Sequence, residues 1–224
     1  MAIALRGVSW YSLASTSSAT SHVFTIPAGT VAGDCLVLAF VTNGVAVNSL
    51  TGWTTQFTTS VVTNPKGRVF TKVADATDIS TGNVTVTTSA ATYGSGTLAS
   101  FSGVDTGTPV DAVGTMVESA TNTNTFTVAS FTTVSAGAVL VGGTGANTGN
   151  ASSNWSGIPA NPGAWAYLTN PGTGAGGATT DGKSHCTADY LTMATAGATG
   201  ALTFNLSVSR AWSGRRSSRC AFRH

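Results

Sequence analysis

The densest group of reactive side chains in the sequence is the stretch Asp181-Gly-Lys-Ser-His-Cys-Thr-Ala-Asp189. If this stretch forms a strand, His185 and Asp189 share one face, because alternate residues of a strand point to the same side. An aspartate, a histidine and a cysteine this close together could build a hydrolytic or a metal site. Tetrahedral zinc needs about four nitrogen or sulfur ligands, however, and no second cluster in the sequence supplies the rest. We therefore predict a polar loop that leads into a strand, with no catalytic residues, no metal and no cofactor, in a protein that is not an enzyme.

A second candidate is the stretch Asp105-Thr-Gly-Thr-Pro-Val-Asp111, which could offer two carboxylates to a calcium ion. Calcium takes about six to eight oxygen ligands, and the spacing is not that of an EF-hand. A turn in which the aspartates accept hydrogen bonds from backbone amides is the preferred interpretation.

The stretch Gly177-Ala-Thr-Thr-Asp-Gly-Lys-Ser184 matches the letters of a phosphate-binding loop. That motif works only between a buried strand and the N-terminus of a helix, whose amides hold the phosphates. Here a Pro/Gly-rich segment precedes it and strand-like residues follow it, so the match is attributed to chance.

Positive charge is concentrated near the end of the sequence, where residues 210–223 contain five arginines and no acid. Such a segment could dock on an acidic neighbour, an anionic glycan or nucleic acid. The preferred interpretation places Arg215 and Arg216 on a loop and Arg219 and Arg223 on the solvent face of an edge strand, where charge prevents edge-to-edge pairing. Nucleic-acid binding is not expected, because basic residues elsewhere cannot form a continuous stripe. The candidate docking residues are Arg210, Arg215, Arg216, Arg219 and Arg223.

Aromatic residues in the Gly- and Pro-rich segments are candidates for contact with a glycan or a protein partner, because exposed rings provide stacking faces and interface anchors. They are Trp155, Trp165 and Tyr167. Trp155 lies in a glycine-rich stretch, 142–163, that is predicted to be a long surface loop, and it is the preferred exposed residue. Trp165 and Tyr167 alternate as in a strand, so burial in the core is the preferred interpretation for this pair.

The composition favours a β protein with a nearly neutral surface. Charged residues make up 8% of the chain, against about 25% in typical domains, and β-branched residues and glycine are abundant. Three distant cysteines, Cys35, Cys186 and Cys220, predict buried free thiols rather than disulfides. No apolar stretch is long enough to span a membrane, and the first residues lack a basic leader with a long apolar core, which predicts folding in a cytosol.

The sequence contains an internal repeat. Phe24-Thr-Ile-Pro-Ala-Gly-Thr-Val reappears in altered form as Phe126-Thr-Val-Ala-Ser-Phe-Thr-Thr-Val, and Val69-Phe-Thr-Lys-Val-Ala as Asp189-Tyr-Leu-Thr-Met-Ala. The repeat predicts an antiparallel β-sandwich, jelly-roll-like, built from two pseudo-repeated halves of about six strands, residues 7–104 and 114–224. Because the junction between the two halves is short, we predict that residues 1–224 form a single domain.

Alternation and apolar runs assign the faces of the strands. The nearly continuous run Asp34-Cys-Leu-Val-Leu-Ala-Phe-Val predicts a central strand that is covered on both faces. In the last strand, Cys220 and Phe222 are expected to point inward. The predicted core residues are Leu36, Leu38, Phe40, Val84, Val86, Leu140, Leu202 and Phe204.

Several segments, in this order and spacing, carry a resemblance that covers nearly the whole chain. They are Pro27-Ala-Gly-Thr-Val-Ala-Gly-Asp-Cys-Leu-Val-Leu, Gly52-Trp-Thr, Phe70-Thr-Lys-Val-Ala and Phe101-Ser-Gly-Val-Asp-Thr-Gly-Thr-Pro-Val-Asp. This pattern resembles a β-sandwich module of bacteriophage minor tail and other virion proteins, and of bacterial surface or secreted proteins. The basic Gly214-Arg-Arg-Ser-Ser-Arg departs from the small apolar residues usual there.

The resemblance implies a structural role and carries over no catalytic residue. We expect a non-enzymatic virion protein, either a minor tail protein or a capsid decoration or fibre protein, made in the host cytoplasm. Its partners would be other virion proteins, capsid or tail subunits, and further copies of itself, and a host surface glycan is a possible ligand. The alternative is a carbohydrate-binding adhesion module of a bacterial surface or secreted protein. No association with a membrane is expected.

Overall fold

The computed structural model describes residues 2–13, 18–59, 65–119, 125–146, 155–156, 166–167, 185–206 and 215–222. These residues form antiparallel sheets with one short helix, which confirms the prediction of an all-β protein. None of the helical structure within these ranges is long and apolar enough to cross a membrane.

The elements are numbered in chain order. The strands are β1 (Ala4–Ser12), β2 (Ala19–Thr25), β3 (Cys35–Thr42), β4 (Thr54–Thr58), β5 (Lys66–Val73), β6 (Asn83–Thr92), β7 (Gly94–Ser102), β8 (Val110–Val113), β9 (Val117–Ser119), β10 (Thr125–Val128), β11 (Thr132–Thr133), β12 (Val139–Ala146), β13 (Trp155–Ser156), β14 (Ala166–Tyr167), β15 (His185–Thr192), β16 (Gly197–Ala198), β17 (Leu202–Leu206) and β18 (Arg215–Phe222). The helix α1 spans Ala76–Thr81 and lies between β5 and β6.

The two large sheets share one strand order. The first runs β1-β7-β3-β5-β4, and the second runs β14-β15-β12-β18-β8, with β9 also paired to β18. Read from the opposite end, the second order matches the first strand for strand, with β8 and β9 together in the place of β1. We call β1–β7 the first unit and β8–β18 the second unit. Because β8 pairs with β18, the second unit already includes Val110, upstream of the boundary expected at residue 114.

Smaller sheets accompany the large ones. The ribbon β2–β6 belongs to the first unit, and the sheet β10-β17-β13 and the pair β11–β16 belong to the second. In both units the small sheet pairs the strand that follows the first large-sheet strand with a strand from the later part of the unit. This is the arrangement expected from an internal repeat.

Strand β3 is buried along its whole length, as its apolar run predicted. Leu36, Leu38 and Phe40 belong to one apolar cluster and Cys35 and Val37 to another, on the opposite face of the strand. The prediction of a central strand covered on both faces is therefore confirmed.

The first cluster packs between the first large sheet and the ribbon β2–β6. Phe24, Phe40 and Val86 are almost fully buried in it, and Val84 packs against it with partial burial. Gly96 allows the Phe24 ring to approach, because a Cβ on this glycine would lie 2.8 Å from that ring. The buried members are Phe24, Ile26, Leu36, Leu38, Phe40, Val47, Phe70, Ala74, Val86 and Leu98.

The second cluster contains residues of both large sheets. Phe101 of β7 stacks on Phe222 of β18, with ring centroids 6.2 Å apart and an interplanar angle of 15°, and Tyr190 meets Phe101 edge-on at 6.0 Å. Phe222 thus points inward, as predicted. The buried members are Ile3, Cys35, Val37, Phe57, Ala99, Phe101, Val104, Val139, Val141 and Phe222.

The remaining core predictions concern the thiols and the second unit. Cys35 is a free, buried thiol, and burial raises its pKa to about 12, so it stays protonated. Leu140 is fully buried in the second unit. Cys186, Cys220, Leu202 and Phe204 lie on strands β15, β18 and β17, but their side chains are outside the described part of the chain.

We predict that Phe101→Ala lowers the free energy of unfolding by about 3 to 5 kcal/mol, because it leaves a cavity between the two large sheets. Urea denaturation followed by tryptophan fluorescence measures the change. Val134→Ala is the matched control: Val134 is 74% exposed, and its loss should change stability by less than about 0.5 kcal/mol. Equal effects of the two substitutions would contradict the shared core.

Candidate functional site

The structure places two of the three candidate aromatic residues on strands. Trp155 lies in β13, opposite Leu206 of β17, and Tyr167 lies in β14, opposite Asp189 of β15. Trp165 lies outside the described residues. The loop predicted to begin at Gly142 is wrong at its start, because strand β12 continues to Ala146. The exposure expected of Trp155 stays a prediction.

Three arginines of the C-terminal segment, Arg215, Arg216 and Arg219, lie neither on a loop nor on an edge strand. Arg215, Arg216 and Arg219 belong to β18, which pairs with β12 on one side and with β8 and β9 on the other. Arg216 stands directly opposite Glu118, where a sheet favours unlike charges. The placement of Arg215 and Arg216 on a loop and of Arg219 on an edge strand is therefore wrong. Alternation along the sequence indicates a strand, but it does not show whether that strand has a neighbour on one side or on both. Arg210 and Arg223 lie outside the described residues.

One row of the second large sheet brings together residues that are far apart in sequence. Tyr167 of β14 is opposite Asp189 of β15, which is opposite Gly142 of β12, which is opposite Arg219 of β18. We call these four residues the 142 row, and it is the candidate functional site. His185, at the other end of β15, is opposite Ala146, so His185 and Asp189 lie on one strand, as predicted, whereas Asp181 lies outside the described residues.

Charged groups of the first unit hold its turns. The buried carboxylate of Asp34 lies 2.8 Å from Nε of Arg6, and it accepts hydrogen bonds from the Val31 amide at 2.9 Å and the Ser100 hydroxyl at 3.4 Å. Arg6 is the extra residue of a bulge in β1. The ion pair therefore fastens the turn before β3 to the edge strand of the sheet.

In the second unit the residue at the equivalent bulge is an aspartate, where the first unit has an arginine. Asp111 is the residue skipped at the bulge of β8, and its carboxylate accepts from the Val134 amide at 2.7 Å, the Ser135 amide at 3.2 Å and the Ser135 hydroxyl at 2.7 Å. Ala138 precedes β12 where Asp34 precedes β3. In this unit the bulge residue, Asp111, supplies the carboxylate itself. No arginine is therefore needed to link the edge strand to the turn.

Of the aspartates in the 105–111 stretch, Asp105 is confirmed as a turn residue, whereas Asp111 lies on β8 and bonds the amides of a turn distant in sequence. Asp105 accepts hydrogen bonds from the Gly107 amide at 2.9 Å and the Thr108 hydroxyl at 2.8 Å, and Asp111 bonds the Val134 and Ser135 amides. Across the described ranges, no group of three or more His, Cys, Asp or Glu side chains is placed to hold a metal ion.

Lys72 forms ion pairs with two aspartates at the start of the helix. Its Nζ lies 2.8 Å from Asp78 and 3.0 Å from Asp75. The two aspartates also form the capping box that begins α1, and each accepts a hydrogen bond from the backbone around the N-cap. The ion pairs of Lys72 and Arg6 are thus parts of turns and caps.

Sequence reasoning missed a buried histidine. His22 of β2 is fully buried against Phe40, with ring centroids 4.7 Å apart. Its Nδ1 lies 3.0 Å from the Tyr11 hydroxyl and its Nε2 3.5 Å from the Thr88 hydroxyl. Burial lowers the pKa of His22, so the neutral ring is favoured. The alternation of His22 with Phe24 and Ile26 was the available signal.

No protein-family model, no curated protein and no solved structure matches this chain.

We predict that Asp111→Ala lowers the free energy of unfolding by about 1 to 3 kcal/mol, because two turn amides lose a charged acceptor. Chemical denaturation measures this effect. Ser135→Ala is the graded control, since it removes the hydroxyl bond and keeps both amide bonds. A loss from Ser135→Ala as large as that from Asp111→Ala would mean that the carboxylate does not hold the turn through its amides.

We predict that stability decreases as the pH falls below 6.5, the ordinary pKa of histidine. The folded protein binds the proton of His22 more weakly than the unfolded chain does. The contribution of His22 is therefore complete above the unfolded pKa, and about 1.4 kcal/mol is lost for each unit by which folding lowers the pKa. Unfolding free energies at about pH 7.5 and about pH 5 measure the loss.

The control for the pH experiment is His22→Gln, which keeps a polar group and cannot titrate. His185 and His224 are present in both proteins, so the difference between the two pH profiles isolates His22. Identical pH profiles would rule out His22 as the titrating group.

Proposed function

We propose that this chain is a non-enzymatic structural protein of a bacteriophage particle, either a minor tail protein or a capsid decoration or fibre protein. In this proposal it mediates assembly of the particle or contact with the host surface, acts in several copies, and pairs with other capsid or tail subunits. Its two units would form one antiparallel β-sandwich, jelly-roll-like, around the cluster that contains Phe101 and Phe222.

The observation that carries the proposal is the outer face of the ribbon β2–β6. Ser21 and Thr87, Val23 and Thr85, and Thr25 and Asn83 are paired across the two strands, and all six are exposed. This face therefore carries hydroxyl, amide and methyl groups and no charge. The cores of protein interfaces are depleted of charged residues, because unpaired charges are costly to dehydrate. A neutral ribbon of this kind suits packing against another subunit.

A second feature agrees with a role in contact. Trp10 is 53% exposed on β1, and β1 is the end strand of its sheet. Tryptophan is enriched among the residues that dominate binding energy in interfaces. An end strand also offers backbone groups to a further strand. The resemblance to virion modules in the sequence supports the same assignment.

The alternative function is a carbohydrate-binding adhesion module of a bacterial surface or secreted protein. The specific observation in its favour is the 142 row, where an aromatic, an acidic and a basic residue occupy aligned positions of one sheet, on β14, β15 and β18. The two functions differ in location, because an adhesion module would be found on bacteria that carry no phage.

The proposal predicts that the protein is present in purified particles at a fixed number of copies. Immunogold electron microscopy with an antibody to this chain, together with quantitative mass spectrometry of the particles, measures this. Its presence only in uninfected bacterial envelopes would contradict the virion assignment and favour the adhesion module.

The ribbon can be tested separately. Thr85→Lys should reduce incorporation into particles roughly tenfold or more, because an unpaired charge buried in an interface costs more than the ~1.4 kcal/mol that a tenfold change represents. Ser80→Lys is the matched control, an exposed hydroxyl residue of α1. Equal incorporation of the two variants would mean that the ribbon face is not an interface.

A further inference from the structure

Strand β1 is the end strand of the first large sheet, and β7 is its neighbour. Within the described ranges no second strand pairs with β1. No residue from Ala4 to Ser12 is buried, whereas every residue of β3, at the centre of the same sheet, is buried. The strand therefore lies at an accessible edge of the sheet.

The hydrogen bonds around β7 show which backbone groups of β1 point away from the sheet. The Leu13 amide donates to the Gly94 carbonyl at 3.0 Å, and on the opposite side of β7 the Asn43 amide donates to the Tyr93 carbonyl at 3.1 Å. In an antiparallel pair such bonds recur at every second residue. Odd-numbered residues of β1 therefore direct their N–H and C=O groups at β7, and even-numbered residues direct theirs outward. The outward-directed residues after the bulge are Val8, Trp10 and Ser12.

This edge lacks the features that usually prevent pairing with another chain, which are charge, proline, bulges and short length. The other end strands described in the large sheets have them. Strand β4 is interrupted by a bulge, β14 spans two residues, and β8 and β9 are short and contain Asp111 and Glu118. In β1 the bulge lies at Arg6, and the stretch Gly7–Ser12 that follows it contains no charged residue and no proline.

The charge next to this stretch is already compensated. Nε of Arg6 lies 2.8 Å from the buried carboxylate of Asp34. The guanidinium therefore does not present an unpaired charge to an approaching strand, and the edge beyond it is neutral.

From this geometry we propose that the Gly7–Ser12 edge of β1 pairs, antiparallel, with the same edge of a second copy of this chain. Trp10 lies opposite Trp10 of the second copy, at the two-fold axis. A contact of this kind uses one surface patch on both subunits and closes at a dimer. The inference rests on the part of the proposed function in which the protein acts in several copies, and it names the partner and the edge.

The outward backbone groups determine the register of this pairing. With Trp10 opposite Trp10, Val8 of each copy lies opposite Ser12 of the other, so every outward N–H and C=O of the three residues has a partner, about six hydrogen bonds in all. Placing Val8 opposite Trp10 instead sets Ser12 against the bulge at Arg6 and leaves about four. A shift by one residue brings opposite faces together.

The side chains agree with the same register. A two-fold axis perpendicular to the sheet keeps each face of the sheet on its own side. Val8 packs against the cluster that contains Phe101, and Trp10 shares this face because the two residues alternate along the strand. The Trp10 side chain is 53% exposed, and pairing brings the two indoles together. Aromatic pairs across strands are stabilising, and this register opposes no like charges.

The size of the contact predicts its strength. Interfaces carry about one hydrogen bond per 100 to 200 Å², so about six bonds correspond to roughly 600 to 1,200 Å² of buried surface. Stable complexes bury about 1,200 to 2,000 Å². We therefore expect a reversible dimer that forms at micromolar or higher concentration and is favoured where copies are held side by side in an assembly.

The experiment measures the mass of the full-length protein by analytical ultracentrifugation from about 1 µM to about 1 mM. The mass should rise from the 22.3 kDa of one chain towards twice that value. Trp10→Lys should weaken the dimer about tenfold or more, because it removes an aromatic contact and places like charges directly opposite each other. Val31→Lys is the matched control, since Val31 is 47% exposed and lies outside the edge.

A charge exchange tests whether Trp10 faces its own copy. Trp10→Glu should be as weak a dimer as Trp10→Lys, whereas an equimolar mixture of the two variants should dimerise about tenfold or more tightly than either alone, because unlike charges then lie opposite each other. Urea denaturation of each variant shows that it is folded. Absence of this rescue in folded variants would contradict the register centred on Trp10.

A backbone variant does not depend on the tryptophan. Ser12→Pro removes an outward N–H and leaves the bonds to β7 in place, and proline is tolerated where the N–H side of an edge strand faces solvent. We expect the protein to fold and the dimer to weaken about tenfold, since backbone bonds to the second copy are lost. A folded Ser12→Pro protein with unchanged dimerisation would show that the edge is not paired.

The outcomes separate this pairing from the virion assignment. A wild-type protein that stays monomeric at about 1 mM, or a dimer that Trp10→Lys does not weaken, overturns the pairing, whether or not the protein is present in particles. A dimer through β1 in a protein that is absent from particles keeps the pairing and removes the virion assignment. A monomer whose incorporation into particles falls with Trp10→Lys assigns the edge to a strand of another subunit and overturns pairing between copies.

Discussion

The contact between Phe101 and Phe222 is the interaction on which the arrangement of the two units depends. These residues lie on β7 and β18, the last strand of each unit, and each of these strands is interior in its sheet. Neither large sheet is complete until its last strand has been inserted. The apolar cluster that joins the sheets therefore requires pairings between residues distant in sequence, and such non-local contacts make β proteins fold slowly.

A second constraint acts on the turns before β3 and β12, where backbone amides need an acceptor. The first unit provides the Asp34 carboxylate and neutralises it with Arg6, whereas the second unit provides the Asp111 carboxylate from the bulge itself. The positions that carry the charge differ, but in both units a carboxylate bonds the turn amides. This is the pattern expected when two copies of one fold change in sequence while the backbone keeps the same unsatisfied groups.

The sequence allowed the strands and the core of the first unit to be predicted, because alternation and apolar runs report which face of a strand is buried. They do not report which strands are neighbours, so Arg215 and Arg219 were assigned to a loop and an edge strand. The repeat itself aligned Val69 with Asp189, whereas strand pairing aligns Phe70 with Asp189. A one-residue slip exchanges the two faces of a strand. The sequence alone therefore did not predict that the residues of the 142 row lie opposite one another.

The two units differ in the residues of one equivalent row of their large sheets. The first closes its interior with Leu38, Phe70 and Leu98 and with the aromatic rings around the neutral His22, whereas the second has a glycine flanked by two charged residues in the equivalent row. Because the cluster around Phe101 contains buried residues of both units, the apolar first unit contributes to the core of the second. A core shared by two repeated units is larger than the core of either unit alone, and the fraction of surface that a chain buries on folding rises with its size.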